Sequence, residues 1–144
     1  MKDNEENMGT VHEEITLKNA IDVGAANRGY IKQKEIRQVI VQVIVDTGAM
    51  TLTISEELRQ TLGLRTAGHY IATMADNSER ICDITEPVTV YWKDRFVNVD
   101  AWVLPGLTEV LLGVIPLEAM DLRVNLVEQK LEGIHGDKVM GMIY

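Results

Sequence analysis

The residues best suited to chemistry are Asp46, Thr47 and Gly48, which directly follow the apolar run Val43-Ile44-Val45. A carboxylate that ends a buried strand must be neutralised, hydrogen-bonded or used, because removing it from water is costly. Thr47 offers a hydroxyl for a local hydrogen bond. Gly48 lets backbone N–H groups approach the carboxylate and can adopt angles closed to other residues. Such donors would hold an ionised Asp46 in a fixed orientation, and catalysis is the leading hypothesis.

Hydrolysis of an amide needs both a base and an acid, and Asp46 alone can be only one of the two. A water held by one carboxylate is weakly activated, and the reaction also needs an acid that protonates the reacting oxygen. A second copy of the chain can supply that acid, because a two-fold axis places the same residue on both sides. Two Asp46 side chains that meet there would share one proton and offer a base and an acid together.

Length and charge exclude other function classes. A chain of 144 residues fits one domain and is too short for two sizeable lobes. It carries 22 acidic and 14 basic residues, a net charge of −8, so a nucleic-acid backbone would be repelled. The longest apolar runs, Val39–Val45 and Val110–Leu117, are far shorter than the roughly 20 residues that span a bilayer. We therefore expect neither nucleic acid nor a membrane as a partner.

Cysteine and histidine usage indicates neither a disulfide nor a metal site. Cys82 is the single cysteine, and His12, His69 and His135 lack ligand spacing. We interpret Cys82 as a small buried apolar residue and the histidines as solvated surface groups, because none has a partner at metal-ligand spacing, and we expect no metal and no cofactor. The start of the chain, Met1–Asn7, is acidic and lacks the features of a secretory signal, so we expect a cytoplasmic protein.

The domain organisation predicted from these patterns is simple. Residues 1–10 are expected to form a disordered acidic lead, and residues 11–144 a single domain. Translation starting at Met8 is an open alternative. The tail from Leu126 to Tyr144 alternates loosely and would supply strands to a sheet edge or to a partner.

The hydrophobic pattern predicts an all-β protein with one or two short helices. Alternation predicts strands, and continuous apolar runs predict strands covered on both faces; the segments are 11–17, 36–45, 70–74, 80–84, 88–92, 97–103 and 110–113. A small-residue stretch, Asn19–Gly29, is predicted to be a loop. Ser55 is predicted to cap a short helix, and Pro116–Met120 to form a helical turn. The polar turn Asp76-Asn77-Ser78 predicts a hairpin.

Three of these features together resemble the retropepsin-like (clan AA) single-domain aspartic proteases. They are Asp46-Thr47-Gly48-Ala49 after a hydrophobic strand, the hairpin with its tip near Asp76, and Leu111-Leu112-Gly113 downstream. The extended segment from Leu111 to Leu122 is most similar to the bacterial cytosolic branch of that clan. The resemblance covers residues 35–132.

The resemblance implies a closed acid-protease barrel with one lobe per chain, in which the loop carrying Asp46 interlocks with the loop ending at Gly113. It implies that Asp46 activates water in a homodimer, that Thr47 ties the active-site loops together across the dimer axis, and that Gly48 binds substrate main chain. An extended peptide or protein substrate would add as a strand under the hairpin, which acts as a flap. The implied substrate-binding residues are Gly48, Ala49, Met74, Ala75 and Asp76.

Two departures from the retroviral members limit this transfer. Those members pair an acid after the Ala of the motif with an Arg after the later Gly, whereas Met50 and Val114 stand here. We expect apolar packing to replace the ion pair. The turn 74–78 also lacks the glycines of retroviral flaps.

Three functions remain open at this point. The first is a homodimeric aspartic endopeptidase. The second is a non-catalytic module that keeps the fold and uses the cleft to bind an extended peptide or to dimerise. The third is a monomeric domain whose activity awaits a partner chain.

Overall fold

The computed structural model describes residues 10–139, in which nine strands and three short α-helices occur. The strands are β1 Val11–Asn19, β2 Gln38–Val45, β3 Leu52–Ile54, β4 Thr66–Thr73, β5 Glu79–Trp92, β6 Arg95–Val103, β7 Val110–Leu112, β8 Leu122–Asn125 and β9 Lys130–Gly133. The helices are α1 Ala20–Asn27, α2 Glu56–Thr61 and α3 Val114–Ala119. The predicted all-β class is confirmed, with one helix more than expected.

Six strands close into a mixed barrel, as the resemblance implied. Their order is β1-β2-β7-β3-β6-β5, and β5 pairs back onto β1. The β2–β7 and β3–β6 pairs are parallel, and the β1–β2, β1–β5, β3–β7 and β5–β6 pairs are antiparallel. Strand β4 extends the sheet beyond the barrel by pairing with β5, which forms the predicted hairpin. Within residues 10–139, no helix is long and apolar enough to cross a membrane.

The prediction that β2 is covered on both faces is wrong. Val43 and Val45 are buried, but Gln38, Ile40 and Gln42 are exposed. A barrel wall has one face toward the core and one toward solvent, so successive side chains of a strand alternate between them. The continuous apolar run therefore leaves Ile40 on the outside.

Helix α1 occupies the stretch predicted to be a loop. Asn19 caps it, because its Oδ1 accepts hydrogen bonds from the N–H groups of Ile21 (3.0 Å) and Asp22 (3.1 Å). The Asn19 amide also donates to the Leu62 carbonyl at 2.9 Å. The helix is thus anchored by a contact with a segment far away in the chain.

An ion pair between buried Asp22 and half-exposed Arg37 fixes the first turn of α1 to the chain before β2. The Asp22 carboxylate accepts hydrogen bonds from Arg37 Nε (2.8 Å), Nη2 (2.9 Å) and backbone N–H (3.0 Å). Asp22 is buried, whereas the Arg37 side chain is half exposed. The guanidinium hydrogen bonds hold the pKa of Asp22 below its ordinary value.

We expect Asp22→Ala to lower the free energy of unfolding by about 1–2 kcal/mol at neutral pH, since Arg37 is partly solvated. A carboxylate whose pKa is lowered in the folded state stabilises the protein above its unfolded pKa, and this contribution is lost as pH falls. The difference between wild type and variant should therefore shrink below about pH 4 in urea titrations. Glu128→Ala, at the exposed pair with Lys130, is the control and should change little. A constant difference down to acid pH would contradict the assignment.

The C-terminal hairpin of β8 and β9 is fastened to the barrel by two polar side chains. Buried Arg95 donates to the carbonyls of Met120 (2.8 Å) and Asp121 (3.0 Å), and also to that of Gly136. Glu13 accepts from the Trp92 indole N–H at 2.8 Å and from a backbone N–H of β9 at 3.3 Å. The part of the predicted tail that the structure describes, residues 126–139, therefore pairs with β8 and contacts the barrel of the same chain. Residues 1–9 and 140–144 lie outside the described residues, so the predicted acidic lead and the last part of the tail stay predictions.

Candidate active site

Asp46 sits in a tight turn where β2 ends against β7. Its N–H donates to the Leu112 carbonyl at 3.0 Å, and its own carbonyl accepts from Ala49 N–H at 3.0 Å. Within the single chain Asp46 is half-buried, and Thr47 and Gly48 are exposed. The expectation of a buried acid is therefore wrong for one chain, because the strand ends at the surface of the barrel.

Gly48 contributes in one of the two ways that were predicted. Its N–H donates to Asp46 Oδ1 at 2.8 Å, which fixes the orientation of the carboxylate. Its φ, however, is not in the left-handed region. A Cβ at this position would lie 3.1 Å from Asp46 Oδ1, a tight contact that would require a small shift of the Asp46 side chain.

The loop after Asp46 interlocks with the loop that ends at Gly113. Val114 N–H donates to the Ala49 carbonyl at 3.0 Å, and Ile115 N–H to the Met50 carbonyl at 2.9 Å. A Cβ on Gly113 would lie 2.5 Å from the Ala49 carbonyl oxygen. A side chain at position 113 would force the two loops apart, so glycine is required for this close approach.

Met50 does not pack as predicted. Its side chain is 57% exposed, and Val114 is half-buried. Only the backbone of Met50 is held, by Ile115 N–H. The apolar replacement for the retroviral ion pair is therefore left open to solvent within one chain.

The flap hairpin has a tip that is ordered without glycine. Met74 N–H donates to the Ser78 carbonyl at 2.8 Å, and Asn77 N–H donates to the Met74 carbonyl at 2.9 Å. Asn77 has a φ of +66°, a conformation that asparagine tolerates better than most residues. The Asp76 carboxylate accepts from the Ser78 hydroxyl and N–H, and these hydrogen bonds lower the pKa of Asp76.

The predicted substrate-binding residues fall into two groups. Gly48 and Ala49 share the Asp46 turn, whereas Met74, Ala75 and Asp76 lie at the flap tip. Met74 is half-buried, and the other two flap residues are exposed. Among the described residues no hydrogen bond joins the flap tip to the Asp46 turn. The single chain thus brings together only the first group.

Sequence reasoning missed the aromatic anchor at the base of the flap. The Tyr70 ring stacks on Trp102 with centroids 4.4 Å apart, and its hydroxyl donates to the Val103 carbonyl at 2.8 Å. Burial raises the pKa of Tyr70 above its ordinary range, so the phenol stays neutral. Cys82 pairs across the hairpin with Tyr70 and is buried, as predicted. The β pattern of Tyr70 was visible in the sequence, but its partner Trp102 was not.

An open groove of about 450 Å³ runs beside the Asp46 turn and was not predicted. It lies between Thr47 and α3, and Leu126 on its rim is 58% exposed. Its floor is mainly apolar, with Glu118 and Arg123 among the lining residues. The Thr47 side of the turn is therefore an exposed, largely apolar surface.

All three histidines lie at the surface, as predicted. His69 Nε2 lies 3.4 Å from Asp83, and His135 Nδ1 lies 2.6 Å from Asp121, so two of them face carboxylates. His12 is exposed. In the part of the chain that the structure describes, no three His, Cys, Asp or Glu residues converge on a position for a metal ion.

The sequence and the fold were compared with those of known proteins, and the matches include the region around Asp46. A family model described as "gag-polyprotein putative aspartyl protease" matches residues 32–119, more than half of the chain. The chain belongs to this aspartyl protease family. The matched region begins just before β2 and ends with α3, so it contains the Asp46 turn, the flap and Gly113. Two parts of the fold lie outside the residues that the family model matches. They are strand β1, which closes the barrel, and the β8–β9 hairpin.

Two solved structures similar to the chain are also protease-like. A retropepsin-like aspartic protease from Rickettsia conorii is 24% identical, with 81% of this chain and 87% of that chain covered and a TM-score of 0.47. The retroviral protease-like domain of Ddi1 from Leishmania major is 16% identical, with 70% and 82% covered and a TM-score of 0.49. A search of curated proteins finds no match to this aspartyl protease family member.

Proposed function

We propose that the chain is an aspartic endopeptidase whose active site forms between two copies, each contributing one Asp46. The observation that carries this proposal is the Asp46 turn itself. It presents one half-buried carboxylate, oriented by Gly48 N–H, at the surface of the barrel in a member of an aspartyl protease family. Because the hydrolysis needs both a base and an acid, a site with one carboxylate per chain would be completed by a second copy.

In the proposed dimer the two Asp46 carboxylates share one proton. The ionised carboxylate takes a proton from a water molecule as its oxygen bonds to the substrate carbonyl carbon, and the protonated one gives its proton to the carbonyl oxygen. The resulting tetrahedral intermediate then collapses. The C–N bond breaks, and the departing nitrogen receives a proton from the acid that has just been formed. One hydroxyl of the intermediate gives its proton to the other carboxylate as the C=O bond re-forms, so the pair is again singly protonated and the products are a carboxylic acid and an amine.

The substrate in this proposal is an extended peptide held between the Asp46 turn and the flap. The main-chain N–H and carbonyl of Ala49 are already bonded, to Asp46 and Val114, so Ala49 would contribute its methyl group. Met74 is likewise bonded at both main-chain groups and would contribute its side chain. Gly48, Ala75 and Asp76 complete the proposed contacts. Cytoplasmic location stays a prediction.

Mixing subunits tests the shared site. If wild type and Asp46→Asn chains are co-expressed in equal amounts and assort randomly, about one quarter of the dimers carry two Asp46 residues. We therefore expect about one quarter of the activity of the same total amount of wild type, measured as pepstatin-sensitive cleavage of a fluorogenic peptide. If each chain worked alone, the mixture would keep half of the activity of the same total amount of wild type, and this result would contradict the proposal.

Equilibrium sedimentation and peptide binding separate the alternatives. A chain that stays monomeric at high concentration and cleaves nothing between about pH 3 and pH 7 would indicate that a different partner is needed. Peptide binding that is unchanged in Asp46→Ala, with no product formed, would favour the non-catalytic module.

A further inference from the structure

Three large apolar side chains form a row on the outer wall of the barrel. Ile40 on β2 and Phe96 on β6 are 66% and 62% exposed, and Tyr91 on β5 lies half-buried between them. In the strand register Ile40 is opposite Thr16, Thr16 is opposite Tyr91, and Tyr91 is opposite Phe96. The row therefore crosses four neighbouring strands, about 14 Å at the usual strand spacing. Single exposed apolar residues are ordinary, but here Tyr91 and Phe96 are in contact, with ring centroids 5.8 Å apart, and only Thr16 lies between this pair and Ile40. Such a grouping indicates an interaction surface.

A groove of about 550 Å³ opens beside Ile40 and Tyr91 of this row, and its charged lining residues are both lysines. Lys18 Nζ lies 4.8 Å from the centroid of the Tyr91 ring, and Lys93 Nζ lies 4.6 Å from that of Trp92. Tyr91 is half-buried and Trp92 is buried, so each lysine lies beside a ring that belongs to the barrel wall. The groove thus combines apolar contact area with local positive charge.

The end of the groove near Lys93 borders acidic residues. A neighbouring depression shares Thr16, Tyr91 and Lys93 and is also lined by Glu13 and Glu14. The Glu13 carboxylate is bonded to the Trp92 indole N–H. Exposed Glu14 is therefore the acid that an incoming segment would meet at this end.

This surface is separate from the Asp46 turn. Val45, the residue before Asp46, pairs with Val11, whereas Ile40 pairs with Thr16. Five residues of extended strand separate the two pairs, about 17 Å. An occupant of the groove would leave the Asp46 turn uncovered, so the inference does not rest on the proposed function.

We propose that the row and its groove bind an acidic segment of a partner protein that carries a large apolar side chain. The apolar side chain packs against Ile40, Tyr91 and Phe96, and the acidic residues lie beside Lys18 and Lys93. The charged residues that line the groove are Lys18 and Lys93. Electrostatic complementarity with these two cations favours an acidic segment as the occupant.

The proposal is tested with a short fluorescein-labelled peptide in which Phe alternates with Asp-Glu pairs, and with a counterpart that has Lys in place of every acid. Fluorescence anisotropy at low salt should show saturable binding of the acidic peptide and at least tenfold weaker binding of the basic one. Lys18→Glu and Phe96→Ser should each weaken binding of the acidic peptide by about tenfold. Glu14→Lys should tighten it, because a repulsive charge becomes attractive.

Matched controls change the same properties elsewhere. Lys34→Glu makes the same charge change on an exposed turn, and Val127→Ser removes an apolar side chain that is 95% exposed. Both should bind the probe like wild type, and circular dichroism melts check that every variant is folded. No binding by wild type, equal binding of the two peptides, or equal effects of Lys18→Glu and Lys34→Glu would overturn the proposal. So would self-association that Phe96→Ser abolishes, since a second copy would then occupy the face.

Discussion

Replacing Asp46 with asparagine is expected to lower kcat for peptide hydrolysis by about a thousandfold while the chain stays folded. Asparagine has nearly the same shape, and its Oδ1 can still accept the 2.8 Å hydrogen bond from Gly48 N–H. An amide, however, neither takes a proton from water nor donates one to a carbonyl oxygen as a carboxyl group does. The measurement is turnover of a fluorogenic peptide by the purified variant, beside a thermal melt.

The control for this prediction is Asp94→Asn. Asp94 is exposed in the turn between β5 and β6, so this variant removes the same charge away from the proposed site. Its activity should equal that of wild type. A folded Asp46→Asn chain that retains activity within tenfold of wild type would show that Asp46 does not carry the reaction.

The second prediction is that Gly113→Ala lowers the free energy of unfolding by about 3 kcal/mol and removes activity with it. The new Cβ would lie 2.5 Å from the Ala49 carbonyl oxygen and 2.6 Å from that of Thr51. These are backbone atoms, which cannot rotate away as a side chain can. The two loops must therefore separate, and the hydrogen bond from Val114 N–H to the Ala49 carbonyl is strained or lost.

Urea unfolding of Gly113→Ala is compared with that of Gly24→Ala. Gly24 lies within α1, and a Cβ there would meet nothing within 4 Å. Alanine is the better helix former, so this control should be more stable than wild type by about 0.5–1 kcal/mol. Equal stability of the two variants would contradict the view that the loops touch at Gly113.

Features that depend on neighbouring residues were predictable from the sequence. The Gly48 N–H bond to Asp46 joins residues two positions apart, and the turn at Asp76 likewise closes on Ser78. The Ser55 cap of α2 is also local, since its hydroxyl accepts from Leu58 N–H at 3.1 Å. Such short-range bonds follow from residue type and spacing, so a pattern of side chains is enough to predict them.

Features that depend on distant segments were missed or wrong. Helix α1 was predicted to be a loop because its glycine and small residues are weak helix signals, and its anchor is the bond from Asn19 to the Leu62 carbonyl. Met50 was expected to be covered, yet its side chain faces solvent. Tyr70 on β4 meets Trp102 on β6 only because both strands pair with β5.

The sequence by itself determined the chemical identity of the candidate site, a carboxylate with its own N–H donor in Asp46-Thr47-Gly48, and the family to which the chain belongs. Only the tertiary structure decided which surfaces are open. Closing the barrel turns one face of each strand inward, so an apolar run such as that of β2 buries Val43 and leaves Ile40 in solvent. The row on the outer wall exists because residues from strands far apart in the chain meet there, which no local pattern specifies.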